Sequence, residues 1–178
     1  MTIYIDYDID NNDKLFDFDY ENIARLVINK VLTLEHFPYE VEVSISFVDE
    51  DAIRAINQEY RSIDKPTDVL SFPMIDYDEG FSLIRDRTKE MYSFIDEGMD
   101  YYNPDTREVA LGDIVLCVPY VYSQSNEYNH SILREYAFLI THSMLHLLGF
   151  DHIDDNERVI MEDKQTKILE SLNITRDS

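Results

Sequence analysis

The chain has one cysteine, Cys117, so it can form no internal disulfide. That residue lies in the apolar run Ile114-Val115-Leu116-Cys117-Val118, which predicts a buried reduced thiol rather than a nucleophile. No Gly/Ser/Pro-rich stretch reads as a linker, and 178 residues at 44% hydrophobic content suffice for one core, so a single domain spanning 1–178 is expected. No apolar run is long enough to span a bilayer, and the opening Met-Thr-Ile-Tyr-Ile-Asp-Tyr-Asp lacks the basic and apolar regions of a secretory signal. A cytoplasmic protein with no membrane partner is the expectation. Basic residues are also scarce, 15 against 37 acidic ones, giving a formal net charge of −22. That balance excludes a broad basic face for nucleic acid, although a small cationic cleft on an acidic body remains compatible with it.

What is present is legible by period. Val41, Val43, Ile45 and Phe47 alternate with polar neighbours, the pattern of a half-buried strand, and a first short strand is expected near Thr2 to Tyr7. Residues Asp19 to Glu35 carry Ile23, Val27, Val31 and Leu34 at helical spacing behind an aspartate cap. Asp49 to Tyr60 repeats that pattern with Ile53 and Ile56. Thr67 to Phe72 and Val109 to Val118 read as strands, and Pro119 suits the first turn of a short helix. A helix over Arg134 to Leu148 follows. Asp154-Asp155-Asn156-Glu157 then forms a capping box for a closing helix that turns Ile160, Met161, Leu169 and Leu172 to the core. The order β-α-β-α-β-β-α-α-α predicts an α/β or α+β fold with a small mixed sheet. Met74 to Arg107, which holds Gly80 and Gly98, reads as an irregular excursion with one short helix near Ser82 to Ile95.

The chemistry concentrates in His142-Ser143-Met144-Leu145-His146-Leu147-Leu148-Gly149-Phe150-Asp151-His152. Residues four apart on a helix share a face, so His142 and His146 can reach one ion. Gly149 tolerates positive φ and can end the helix, returning His152 as a third ligand. Three neutral nitrogens at ~2.0–2.1 Å from Zn²⁺ leave a fourth position for water, as in catalytic rather than structural zinc. The competing reading is of ordinary helix and loop histidines; the apolar surroundings oppose it, because buried imidazoles need partners. His36 and His130 stand alone and are assigned no role.

The spacing matches the metzincin pattern H-E-x-x-H-x-x-G-x-x-H, but Ser143 occupies the position of the glutamate base. A peptidase would need a base from elsewhere, such as Asp151 or Asp113. Three blocks together narrow the choice: the segment Asn57 to Pro73 with Arg61 and Thr67-Asp68-Val69-Leu70-Ser71-Phe72-Pro73, then Leu111-Gly112-Asp113-Ile114, then the histidine segment. From about Val41 onward the chain resembles the YbeY family of single-domain, metal-dependent endoribonucleases that mature ribosomal RNA. The family pattern is close to H-G-x-L-H-L-x-G-Y-D-H. The chain departs from it at Ser143, which bears on how closely the helix packs, and at Phe150, which lacks a hydroxyl able to hold water or substrate.

The resemblance implies a four-stranded sheet packed against about five helices, with one zinc ion held in a cleft by His142, His146 and His152. It also implies that Arg61 lines that cleft. A guanidinium there suits a phosphodiester, whose non-bridging oxygens gain charge under attack. The alternative for Arg61 is a cation that offsets the dipole at a helix end. The expected substrate is single-stranded or ribosomal RNA, and the acidic body favours a ribosomal protein or assembly factor as partner. The alternatives are a ribosome-assembly binding factor whose zinc stabilises the fold, and a metallopeptidase.

Overall fold

The computed structural model describes residues 1–9, 15–97 and 99–175; Gly98 of the central excursion lies outside them. Four strands, β1 (Thr2–Asp8), β2 (Val41–Val48), β3 (Val69–Pro73) and β4 (Val109–Cys117), form one sheet in the order β1-β2-β4-β3. β1 and β4 run parallel to β2, and β3 is antiparallel to β4, so the sheet is mixed as expected. Among the described residues the helices are α1 (Tyr20–Leu34), α2 (Glu50–Arg61), α3 (Phe94–Glu97), α4 (Val118–Glu127), α5 (Ile132–Leu147) and α6 (Asp155–Ser171). None is long and apolar enough to cross a membrane.

Side-chain caps start these helices where the sequence places them. Asp19 accepts from the Asn22 amide at 3.0 Å and Asp49 from the Ala52 amide at 2.8 Å. Asp154 and Glu157 close a reciprocal capping box on α6. Pro119 falls in the first turn of α4, where a missing N–H leaves no helix bond unmade.

β2 is more enclosed than its alternation suggests. Val43, Ile45 and Phe47 face the main core with α1 and α5, while Val48 joins a second, smaller core with Ile53, Leu70, Val115 and Cys117. That second core exists because α2 covers the other face of the sheet. The Cys117 thiol is buried and free, as expected, and burial pushes its pKa up to about 11.

The register of β2 on β4 shifts between Glu42 and Val43, and Leu111 is the extra residue on β4. Gly112 follows it with φ of 138°. A β-carbon there would sit 2.1 Å from the Phe72 carbonyl oxygen and 3.0 Å from Leu147 Cδ2. Glycine is therefore what lets β3 and the end of α5 close on β4.

The excursion over 74–107 forms no helix across Ser82 to Ile95. It makes short 3₁₀ turns at Phe81–Leu83, Lys89–Tyr92 and Met99–Tyr101, with only α3 helical. Buried anchors at Ile75, Phe81, Tyr92 and Ile95 do not keep a helical period, and Thr88 is extended between the first two turns. The segment is fixed by individual contacts: Asn103 donates to both oxygens of buried Glu42 at 2.9 Å, and the Tyr92 hydroxyl donates to the Glu35 carbonyl at 3.2 Å.

Candidate metal centre

Ser131 caps α5 by accepting from the Arg134 amide at 3.1 Å, and an almost fully apolar face then seats the helix on the sheet and α1. His142 and His146 leave this helix one turn apart, and their Nε2 atoms lie 3.1 Å from each other. The helix ends at Gly149, whose φ is 79°. The Phe150 amide donates to the Leu145 carbonyl at 3.0 Å and the Gly149 amide to the His146 carbonyl at 2.9 Å, the two bonds of a Schellman turn.

That reversal returns His152, whose ring centroid lies 5.4 Å from that of His142 and 5.0 Å from that of His146. One nitrogen from each of the three lies within 4.8 Å of the others. Tetrahedral ligation with N–Zn bonds of ~2.0–2.1 Å sets nitrogens about 3.3 Å apart. The His142–His146 pair already has that spacing, and the exposed His152 needs only a small closure. Among the described residues this is the one group of three His, Cys, Asp or Glu side chains so placed.

The donor set is prepared for a cation. Burial lowers the pKa of His142, and burial followed by the nearby His142 and His152 pushes that of His146 down to about 4. Both rings are therefore neutral at pH 7, with lone pairs available. His146 Nδ1 lies 3.0 Å from the Phe150 carbonyl oxygen, which can accept only from an N–H, so Nε2 is the atom left for an ion. The Gln165 side chain, from α6, lies close enough to oppose part of the pKa lowering at His142. Ser143 is fully buried, so it faces the core and not the cluster, where it cannot act as the missing metzincin base.

The excursion over 74–107 braces this turn. The Tyr77 hydroxyl donates to the Leu147 carbonyl at 3.0 Å, and its ring lies so close to Gly149 that a β-carbon would meet it at 2.5 Å. The Arg87 guanidinium donates to the carbonyls of Leu148 and of Phe81, the latter at 2.9 Å. A buried arginine thus satisfies the Leu148 carbonyl at the C-terminal end of α5 and ties it to the Phe81 turn of the excursion. Sequence reasoning missed both residues, since nothing local marks a long-range cap.

A cleft of about 780 Å³ opens beside the cluster between α5 and α6, lined by His142 and His152. Of the segment singled out around Arg61, Asp68 lines it, whereas Arg61 does not. Arg61 is exposed in the last turn of α2, where its charge also offsets the helix dipole. The arginines that line the cleft are Arg134 and Arg158, the latter paired with Asp155, and the acidic residues that line it are Asp68, Glu162 and Glu170. No short-range signal separates these arginines from ordinary helix-surface charges.

A family model described as Endoribonuclease YbeY matches residues 6–173. The chain is 50% identical over 177 residues to the "Endoribonuclease YbeY" of Agathobacter rectalis, covering 99% of this chain and 100% of that protein. It is 48% identical over 178 residues to the protein of the same name from Lachnospira eligens, covering 99% and 100%. In fold it is similar to the solution structure of TM1509 from Thermotoga maritima, with a TM-score of 0.52 and 22% identity over 96% of this chain and 91% of that one.

Proposed function

The chain belongs to the YbeY family of endoribonucleases, RNA-cleaving hydrolases, and from that premise we propose that it is a zinc-dependent enzyme acting on single-stranded RNA in ribosomal RNA processing and ribosome maturation. The observation that carries the reading is the cluster of His142, His146 and His152 at the mouth of a cleft. In this reading one domain, 1–178, works in the cytoplasm with ribosomal RNA and a ribosomal protein or assembly factor as partners.

His142, His146 and His152 would hold the ion, which supplies Lewis acidity toward a phosphate oxygen and a lowered pKa for water. The chain's own contribution is positional. The Phe150 carbonyl fixes the His146 ring, and the Schellman turn brings His152 back to it. Arg61, exposed at the end of α2 and outside the cleft lining, has in this reading the role of offering a planar fork of donors to a phosphate of RNA that extends past the cleft.

Three ligands leave a coordination position open, which favours a catalytic centre over a zinc that only stabilises the fold. The test is cleavage of a single-stranded RNA oligonucleotide by protein stripped with chelator. Activity should vanish and return with added zinc. Full cleavage by the stripped protein would defeat the proposal, and unchanged thermal stability after stripping would separately exclude the fold-stabilising alternative.

A further inference from the structure

The cleft extends well past the histidines, and its walls suit more than a phosphate. On α5, His142, Phe138 and Arg134 recur every four residues along one face, and all three line it. At 1.5 Å per residue the row is about 12 Å long. A stacked strand advances ~3.4 Å per nucleotide, so the row can follow an RNA strand for about three nucleotides. The opposite wall is α6, with Met161, Gln165 and Leu169.

We propose that this groove is a nucleobase subsite, in which an unpaired base next to the scissile phosphate lies on Phe138 while a flanking phosphate meets Arg134. The inference rests on the endoribonuclease reading of the histidine cluster and adds to it the class of ligand that the neighbouring surface takes. Four observations converge on it. The exposed lining is mainly apolar, which suits the face of a base and not a phosphate backbone alone. Phe138 stacks near-parallel to His142, with centroids 6.3 Å apart and planes at 21°, so a base on that ring sits beside the candidate ion site.

The Arg134 guanidinium carbon lies 5.7 Å from the Phe138 centroid, close enough to bind a phosphate attached to a base stacked there. Gln165 is 5% exposed and lines the groove, and its Nε2 has no hydrogen-bond acceptor among the described residues. A buried amide donor in the wall of an apolar groove is suited to a carbonyl on the edge of a base. The carboxylates of Asp68, Glu162 and Glu170 repel phosphates from the rest of the groove, which confines the backbone to the Arg134 side.

The occupant must be unpaired, because a duplex keeps its base faces stacked. The subsite therefore supplies a physical reason for a single-strand preference in a protein with little positive surface.

The experiment uses zinc-loaded protein and a single-stranded DNA oligonucleotide, which a ribonuclease does not cut, carrying one 2-aminopurine. Stacking on an aromatic ring quenches that base. The full-length protein should quench it, whereas a duplex carrying the same base should not be quenched on binding. Phe138→Leu should abolish the quench and weaken binding about tenfold, the usual scale for losing one stacked base. Arg134→Gln should weaken binding to a similar degree and make its salt dependence shallower by about one phosphate. Zinc content measured in both variants should equal that of the parent, which separates loss of the subsite from damage to the cluster. Parental affinity and quench in both variants, or equal quench by duplex, would overturn the subsite while leaving RNA cleavage intact. Retained quench and variant effects in a protein that cuts no RNA would overturn the nuclease reading and leave the subsite standing.

Discussion

The guanidinium of Arg87 sits over the Phe150 ring, its central carbon 3.4 Å from the ring centroid, and the same carbon lies 4.2 Å from the Phe81 centroid. A residue of the irregular excursion thereby holds the turn that carries His152 back to α5. Burial lowers the pKa of Arg87, yet an arginine stays charged, and its direct acceptors are carbonyl oxygens, with Tyr92 and the Glu35 carboxylate nearby also favouring the charge.

Arg87→Met should therefore destabilise the protein strongly. It keeps much of the packing but leaves the Leu148 carbonyl without its donor in a dry environment, at about 1.5–3 kcal/mol for a bond to a charged donor, while the Phe81 carbonyl keeps the Ile84 amide. A urea titration should show a lower midpoint with unchanged slope, and zinc affinity should fall with it. A midpoint equal to that of the parent would show that the brace is idle.

Gly149→Ala tests the same turn from the other side. The added methyl must occupy a backbone with φ of 79°, at roughly 1–2 kcal/mol, and must also displace the Tyr77 ring from 2.5 Å. Zinc affinity should drop by more than tenfold even where circular dichroism shows the helices intact. Parental affinity in this variant would mean that His152 reaches the ion without the Schellman turn.

The backbone plan was legible in the sequence because it rests on local chemistry. Asp19, Asp49 and Asp154 cap where they should, and the glycine after His146 ends the helix as its position implies. The long-range parts were not legible. That α2 buries the second face of β2 through Ile53, that Arg87 caps a helix 61 residues away, and that Arg134 rather than Arg61 lines the cleft are all results of tertiary packing. A periodic pattern reports which face is apolar and says nothing about which element covers it.

Cys117 should be chemically silent in the folded protein. Its pKa is raised to about 11, so below that value the thiol stays protonated and the reactive thiolate is scarce. An aromatic disulfide reagent at pH 8 should label it slowly in buffer and at once in denaturant. Rapid labelling under native conditions would show that the smaller core opens.

Arg61 separates a phosphate clamp from a helix-end charge. If it binds substrate, Arg61→Ala should lower kcat/KM by at least tenfold with little change in melting temperature, and Arg61→Lys should recover only part, having lost the planar fork. A lower melting temperature with parental specific activity in the folded fraction would assign Arg61 to the end of α2.

The claim on which the rest depends is that His142, His146 and His152 together hold one catalytic ion. It is tested most directly by titrating zinc into metal-free protein while following both bound metal and cleavage of single-stranded RNA. Activity should rise in proportion to occupancy and saturate at one ion per chain, and His152→Ala should neither retain zinc through dialysis nor cleave. Full zinc retention by His152→Ala, or cleavage independent of occupancy, would contradict the account.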